Sequence, residues 1–147
     1  FMTTILEFMS VDHDRLDNKI RMYSTEKLVD IERAESIFLS FKSELERHII
    51  WEEDILFPVF ERKTGIKDGG PTSVMRMEHI QIKNHLQEIK KKIHAKKIQN
   101  LFKEEVALFK LLESHNQKEE NILYPGIDNL TNEQEKGQMI KLMQVNK

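Results

Sequence analysis

The chain contains no cysteine. Disulfides, thiolate metal sites and cysteine nucleophiles are thereby excluded, and any metal must be held by imidazole and carboxylate; the same absence suits a reducing, cytoplasmic setting. Charge of one sign is also lacking: Lys+Arg 23 against Asp+Glu 25 leaves a formal charge of −2. There is thus no global attraction for nucleic acid or an acidic membrane surface, and neither is expected as a partner. The lysine-rich run 90–97 reads as a solvated helix end. No apolar run approaches the roughly 18 residues of a membrane span, and the N-terminus lacks the basic stretch and long apolar core of a signal peptide. Phe1 ahead of Met2 is left outside the fold. With 147 residues, one domain with one core is expected.

The five glycines and three prolines are clustered rather than spread. Gly65, Gly69, Gly70 and Pro71 mark a firm loop, and Pro125-Gly126 marks a second break. Between these points apolar residues recur at alternating three- and four-residue steps, the signature of helices packed in a bundle. Leu6, Met9, Leu16, Ile20 and Tyr23 follow that stripe in a first helix; Ile31, Ala34, Phe38, Phe41, Leu45, Ile55 and Val59 in a second. Met75, Ile82, Leu86, Ile89 and Ile93 mark a third, and Leu101, Leu108, Leu112 and Ile122 a fourth, with Glu105 the one awkward residue on that seam. The fold class is all-α: an up-down-up-down four-helix bundle over residues 2–127, followed by a helical extension over 128–147. That short fifth helix is expected to start at Thr131, which forms a capping box with Gln134. Its Ile140, Leu142 and Met143 are expected to dock on the bundle or on a second copy of the chain.

An internal repeat is the most informative feature. His48-Ile-Ile-Trp-Glu-Glu-Asp-Ile-Leu-Phe-Pro58 aligns without a gap on His115-Asn-Gln-Lys-Glu-Glu-Asn-Ile-Leu-Tyr-Pro125. A weaker match pairs Val11-Asp12-His13 and Asn18 with Met77-Glu78-His79 and Asn84. The chain therefore reads as two helical hairpins, each with one His on its first helix and His-x-x-x-Glu on its second.

Polar residues interrupt each stripe at seam positions: His13 after Met9, His48 and Glu52 between Leu45 and Ile55, His79 after Met75, and His115 and Glu119 between Leu112 and Ile122. Antiparallel neighbours sit level when the mean of their residue numbers falls in the connecting turn. His13 and His48 average about 30, near Asp30, a helix N-cap candidate; His48 and His79 average about 64, at the glycine-rich loop; His79 and His115 average about 97, in the turn over 95–100. The four imidazoles thus share a level. A single His on an apolar face is usually a core residue satisfied by a hydrogen bond, but four at one level with two glutamates form a set.

Burying two carboxylates with four imidazoles costs several kcal/mol per charge unless they are paired or metal-bound, and no Lys or Arg lies on the seam at that level. His13, His48, Glu52, His79, His115 and Glu119 are therefore the candidate metal ligands. Two histidines per ion and two bridging carboxylates give about four protein bonds each, leaving room for a bridging oxygen and an exogenous ligand, unlike a closed structural zinc. Nitrogen and oxygen donors suit iron, manganese or zinc, and carboxylates bridging facing helices favour a pair of irons. Glu53 and Glu120, which follow the proposed ligands, read as exposed or as carboxylates supporting them. His85 reads as a surface or supporting residue and His94 as part of the basic end. Trp51, Phe57, Tyr124 and Tyr23 read as packing.

The doubled string His-x-x-x-Glu-Glu-x-Ile-Leu-aromatic-Pro, with Asp12-His13-Asp14-Arg15-Leu16 upstream and Gly70-Pro71-Thr72 leading to Met77-Glu78-His79, resembles the hemerythrin-like HHE cation-binding domain family over about residues 5–126. The resemblance implies two iron ions, oxo- or hydroxo-bridged, with His13, His48, His79 and His115 as terminal ligands and Glu52 and Glu119 as bridges; zinc or manganese are the other metals. It implies a small diatomic ligand, O2 or NO, and a role in sensing, binding or iron handling. A diiron oxidoreductase, peroxidase-like enzyme or repair factor for damaged iron centres is the alternative, and a zinc-bound or metal-free bundle a third. Oxygen-carrier hemerythrins have a second histidine four residues from the first on their third helix, where this chain has Met75 and Lys83 on either side of His79. They also place an Asp five residues after the last His, where this chain has Glu119 four after His115. These departures shift the expectation from oxygen transport to sensing or redox chemistry, with solvent or Asp17 completing the shell.

Overall fold

A computed structural model describes residues 3–145; Phe1, Met2 and residues 146–147, and with them the outer ends of the two predicted segments, lie outside the described residues. The described residues are mostly helical, joined by short turns and loops, and contain no strand. α1 spans Ile5–Glu26, α2 Ile31–Trp51, α3 Phe57–Thr64, α4 Pro71–His94, α5 Leu101–Lys118, α6 Tyr124–Leu130 and α7 Glu133–Val145. Two of the junctions are not breaks. Glu52–Leu56 and Glu119–Leu123 are single π-helical turns, so α2 runs into α3 and α5 into α6 as continuous rods.

The ends follow local chemistry. Thr4 and Glu7 form a reciprocal capping box on α1, and the Asp30 side chain accepts from the Arg33 N–H to open α2, as its residue type favours. Gly65, at φ 71°, closes α3 in the left-handed region that a side chain would disfavour. The cap of the last helix lies one residue later than the sequence suggests. Asn132, not Thr131, forms the reciprocal pair, with Glu135, while the Thr131 hydroxyl donates back to the Ile127 carbonyl.

α1 packs on α2, α4 on α5, and α2 on α4; α1 also meets α6. The interior divides into two apolar blocks. One holds Leu16, Tyr23, Phe38, Phe41, Leu45, Ile82, Leu86 and Leu108; the other holds Ile5, Met9, Trp51, Leu56, Phe57, Met75, Leu123 and Tyr124. α7 contributes Met139 and Met143 to the second block, while Leu142 faces out. On α1 and α4 the order is the same: a methionine of the second block, a buried histidine, then a branched residue of the first. A polar layer therefore lies between two apolar ones.

The π turns correct the seam reading. Ile122 is 62% exposed and Ile55 only partly buried, whereas their neighbours Leu123 and Leu56 are in the core. Each π turn inserts one extra residue before the helix resumes, which advances the buried stripe by one position. Nor is Pro125-Gly126 a break, since it lies in the first turn of α6 just as Pro58 lies in α3. A proline in a helix interior lacks an N–H and crowds the carbonyl four residues back. Here the widened turn ahead of each proline lets the helix pass, with the Phe57 and Tyr124 N–H groups reaching back five residues to the Glu52 and Glu119 carbonyls.

Candidate metal centre

All six sequence-predicted donors are buried in the polar layer: Glu52 and Glu119 have no exposed surface, and His13, His48, His79 and His115 very little. The imidazoles form two pairs, one within each hairpin. His13 and His48 have ring centroids 4.7 Å apart, and His79 and His115 4.9 Å. Donor atoms of His13, His48 and Glu119 lie within 4.8 Å of one another, as do those of Glu52, His79, His115 and Glu119. Each group is compact enough for one cation.

The glutamates reach from one pair to the other. Glu119 sets Oε1 3.2 Å from His13 Nε2 and Oε2 3.2 Å from His115 Nε2. Glu52 sets Oε1 3.1 Å from His79 Nε2 and Oε2 3.8 Å from His48 Nε2. Each carboxylate thus offers one oxygen to each half.

Every Nε2 is turned inward because every Nδ1 is held by a carboxylate. His48 Nδ1 lies 2.7 Å from Asp12 Oδ2 and His115 Nδ1 2.8 Å from Glu78 Oε1; His79 Nδ1 lies 2.6 Å from Glu53 and His13 Nδ1 2.7 Å from Glu120. This fixes the tautomer a metal-binding imidazole needs, with the proton on Nδ1 and a lone pair on Nε2. The four supports obey the repeat. Asp12 and Glu78, each preceding a histidine, hold the second histidine of their own hairpin, whereas Glu53 and Glu120, each following a bridging glutamate, hold a histidine of the other hairpin. Cations back the first two: Arg15 on Asp12 at 2.8 Å, and Lys118 on Glu78.

The electrostatics describe a site crowded with acid and base. Burial alone would lower the His13 and His115 imidazoles, but Glu119 and its neighbours outweigh it and raise both to about 9; His79 moves the same way, chiefly through Glu52 acting against burial. Burial and the adjacent Glu119 push Glu52 up. Burial acts on Glu119 in the same sense, yet the hydrogen bond shared with Glu52 and the imidazoles of His115 and His13 hold it well below the usual carboxylate range. Asp12, despite burial, is held at about 2 by His48 and Arg15.

These residues fit a bound metal cation. The inward set is nitrogen and oxygen only, the orientation of each imidazole is fixed from behind, and Glu119 Oε2 is a buried oxygen with no hydrogen-bond partner among the described residues. A buried carboxylate oxygen left without a donor is costly, and a cation between it and His115 removes that cost.

Two features escaped the sequence. Asp12 and Glu78 were visible only as repeat partners, and Tyr124, read as packing, puts its hydroxyl 2.7 Å from Glu52 Oε2 and 3.0 Å from Glu119 Oε1. The signal was present: Tyr124 aligns with Phe57, and a phenol replacing a phenyl at the end of a ligand motif brings a polar atom that burial must satisfy. Asp17 is not drawn in and stays on the exposed side of α1. His85 pairs with Glu104 at 2.9 Å and the exposed His94 with Glu35 at 3.1 Å, both away from the layer.

Comparison with curated proteins and with solved structures returned no match. The family model of the hemerythrin HHE cation binding domain, however, matches residues 4–137, a span that holds both halves of the polar layer and all four supporting carboxylates, and the chain belongs to that family.

Proposed function

We propose that this chain is a non-haem diiron-binding protein that takes a small diatomic ligand, O2 or NO, at an open coordination position and serves in sensing, ligand binding or iron handling. The ligands are His13 and His48 on one ion, His79 and His115 on the other, with Glu52 and Glu119 bridging, on an up-down-up-down four-helix bundle. One observation carries the reading: each of two fully buried glutamates directs one oxygen to each histidine pair. A single ion needs no such arrangement, whereas two ions side by side use all four oxygens.

Bound iron supplies reversible diatomic binding and one-electron redox chemistry. The chain's part is to neutralise, orient and exclude water. Asp12, Glu53, Glu78 and Glu120 hold the Nδ1 protons, keep the four Nε2 lone pairs aimed inward and add negative charge that favours a cationic centre. The apolar blocks on either side keep bulk water from the layer. Among the described residues no helix is long and apolar enough to cross a membrane.

Metal analysis of the isolated protein, with absorption spectra before and after exposure to air and NO, tests the proposal. Two irons per chain with a spectrum that responds to NO is the expected result. One zinc, or no metal after iron supplementation, would overturn it.

A further inference from the structure

The aromatic rings that flank the two halves of the polar layer differ in one group. Beside His79 and His115 stands Phe57, whose ring stacks on His79 at 5.7 Å between centroids and 9° between planes. Beside His13 and His48 stands its repeat partner Tyr124, which carries a hydroxyl. That oxygen faces four atoms: Glu52 Oε2 at 2.7 Å, Glu119 Oε1 at 3.0 Å, His48 Nε2 at 3.3 Å and His13 Nε2 at 3.4 Å. These are the atoms that the bridging arrangement directs to a single ion, the one between His13 and His48.

Donor atoms about 2.1 Å from a common six-coordinate ion lie about 3 Å from their neighbours in the shell. The four separations straddle that value, so the Tyr124 oxygen sits where a neighbouring vertex of the same shell falls. Hydrogen bonding alone does not account for the position once metal is present. The Nε2 lone pairs and carboxylate oxygens then point at the ion, and a phenol has a single proton to donate. Its own lone pairs, in a fully buried residue, would be left without a donor unless they too face the cation.

We propose that the Tyr124 hydroxyl oxygen is a fifth protein donor to the ion between His13 and His48, which leaves the position for an exogenous ligand on the ion between His79 and His115, beside Phe57. The phenol proton leaves to solvent as the ion binds, as does any proton on the imidazole Nε2 atoms. The proposal rests on the dinuclear iron reading and adds an asymmetry to it: the missing histidine beside His79 is not replaced on that side, whereas a donor is gained on the other.

The test uses the iron-loaded, oxidised protein. A ferric ion bound by a phenolate shows a visible charge-transfer absorption, and resonance Raman excitation in that band enhances tyrosinate ring modes. The wild type is expected to hold two irons per chain and to show both signals; Tyr124→Phe, which keeps the ring, is expected to retain iron and lose them. Phe57→Tyr is expected to abolish azide binding by filling the open side. Two irons without tyrosinate modes in the wild type would overturn this proposal and leave the dinuclear reading standing, and that measurement does not depend on any variant folding. An unchanged band in Tyr124→Phe would also overturn it. If the wild type fails to hold two irons, the dinuclear reading falls and this proposal with it.

Discussion

Two places in the interior bury glutamate beside tyrosine, and they are resolved in opposite ways. In the first, Glu105 on α5 accepts from the Tyr23 hydroxyl at 2.6 Å and from Lys27 at 2.6 Å. The charge is met by the chain's own ammonium, and the residue that looked awkward on the seam is explained. In the second, Glu52 and Glu119 lie together with a tyrosine and four imidazoles, and among the described residues no lysine or arginine pairs with them. Without metal, the charge falls on the imidazoles of His13, His79 and His115, whose hold on a proton the glutamates strengthen. A buried acid whose partner is supplied by the chain is a structural element; a buried pair of acids whose partner is not is a binding site. The difference lies in the neighbours and not in the glutamate.

The largest effect that separates the two places should come from Glu119→Ala or Glu52→Ala. Either variant should lower bound metal and thermal stability together, because metal binding contributes to folding free energy; unchanged iron content in both would refute the bridging assignment. Lys27→Ala should do the reverse. Leaving Glu105 buried without its cation should cost about 3 kcal/mol in denaturant unfolding, with iron content per folded chain unaffected. If iron is lost in step with stability, the two sites are not independent.

Acidity offers a third way to part them. The His13 and His115 imidazoles are raised above their ordinary value to about 9 in the metal-free protein. Their contribution to its stability is therefore complete below about pH 6.5 and lost as pH rises through about 9, roughly 3 kcal/mol for each imidazole. In the metal-loaded protein the cation takes the place of those protons, so the alkaline loss should vanish. Melting the apo and loaded forms side by side from pH 6 to 10 measures this, and parallel curves would contradict it.

Smaller effects should follow from the supports. Glu53→Ala and Glu120→Ala free the Nδ1 atoms of His79 and His13, and each should weaken metal affinity by about 10- to 100-fold, as read by competition with a chelator. The smallest is His94→Ala. Its imidazole is 84% exposed, and the change should move stability by less than about 0.5 kcal/mol with metal content intact.

Much of this was legible because the chain states it twice. The His-x-x-x-Glu string at 48–52 and 115–119, set at seam positions with His13 and His79 level with it, brought six residues to one layer, where the structure also finds them. Asp30 was readable as a cap because capping is local chemistry. What the sequence concealed depends on geometry that periodicity does not carry. The π turns shifted the buried stripe from Ile55 and Ile122 to Leu56 and Leu123, since an even three- and four-residue count assumes an unbroken α-helix. The pairing of Glu53 with His79 and of Glu120 with His13 joins residues from different hairpins, and no spacing within one hairpin encodes it. Tyr124 reads as packing because its ring does pack; only the position of its oxygen sets it apart from Phe57.

The crossing of those two supports bears on how the layer is assembled. Each hairpin buttresses one histidine of the other, and each bridging glutamate spans both halves, so a single hairpin cannot finish even one half of the layer by itself. Two identical hairpins related by a twofold axis could supply every one of these contacts to each other. Within one chain the two copies need not be identical, and tyrosine at 124 against phenylalanine at 57 is a difference that a symmetric dimer of one hairpin could not carry on one side alone.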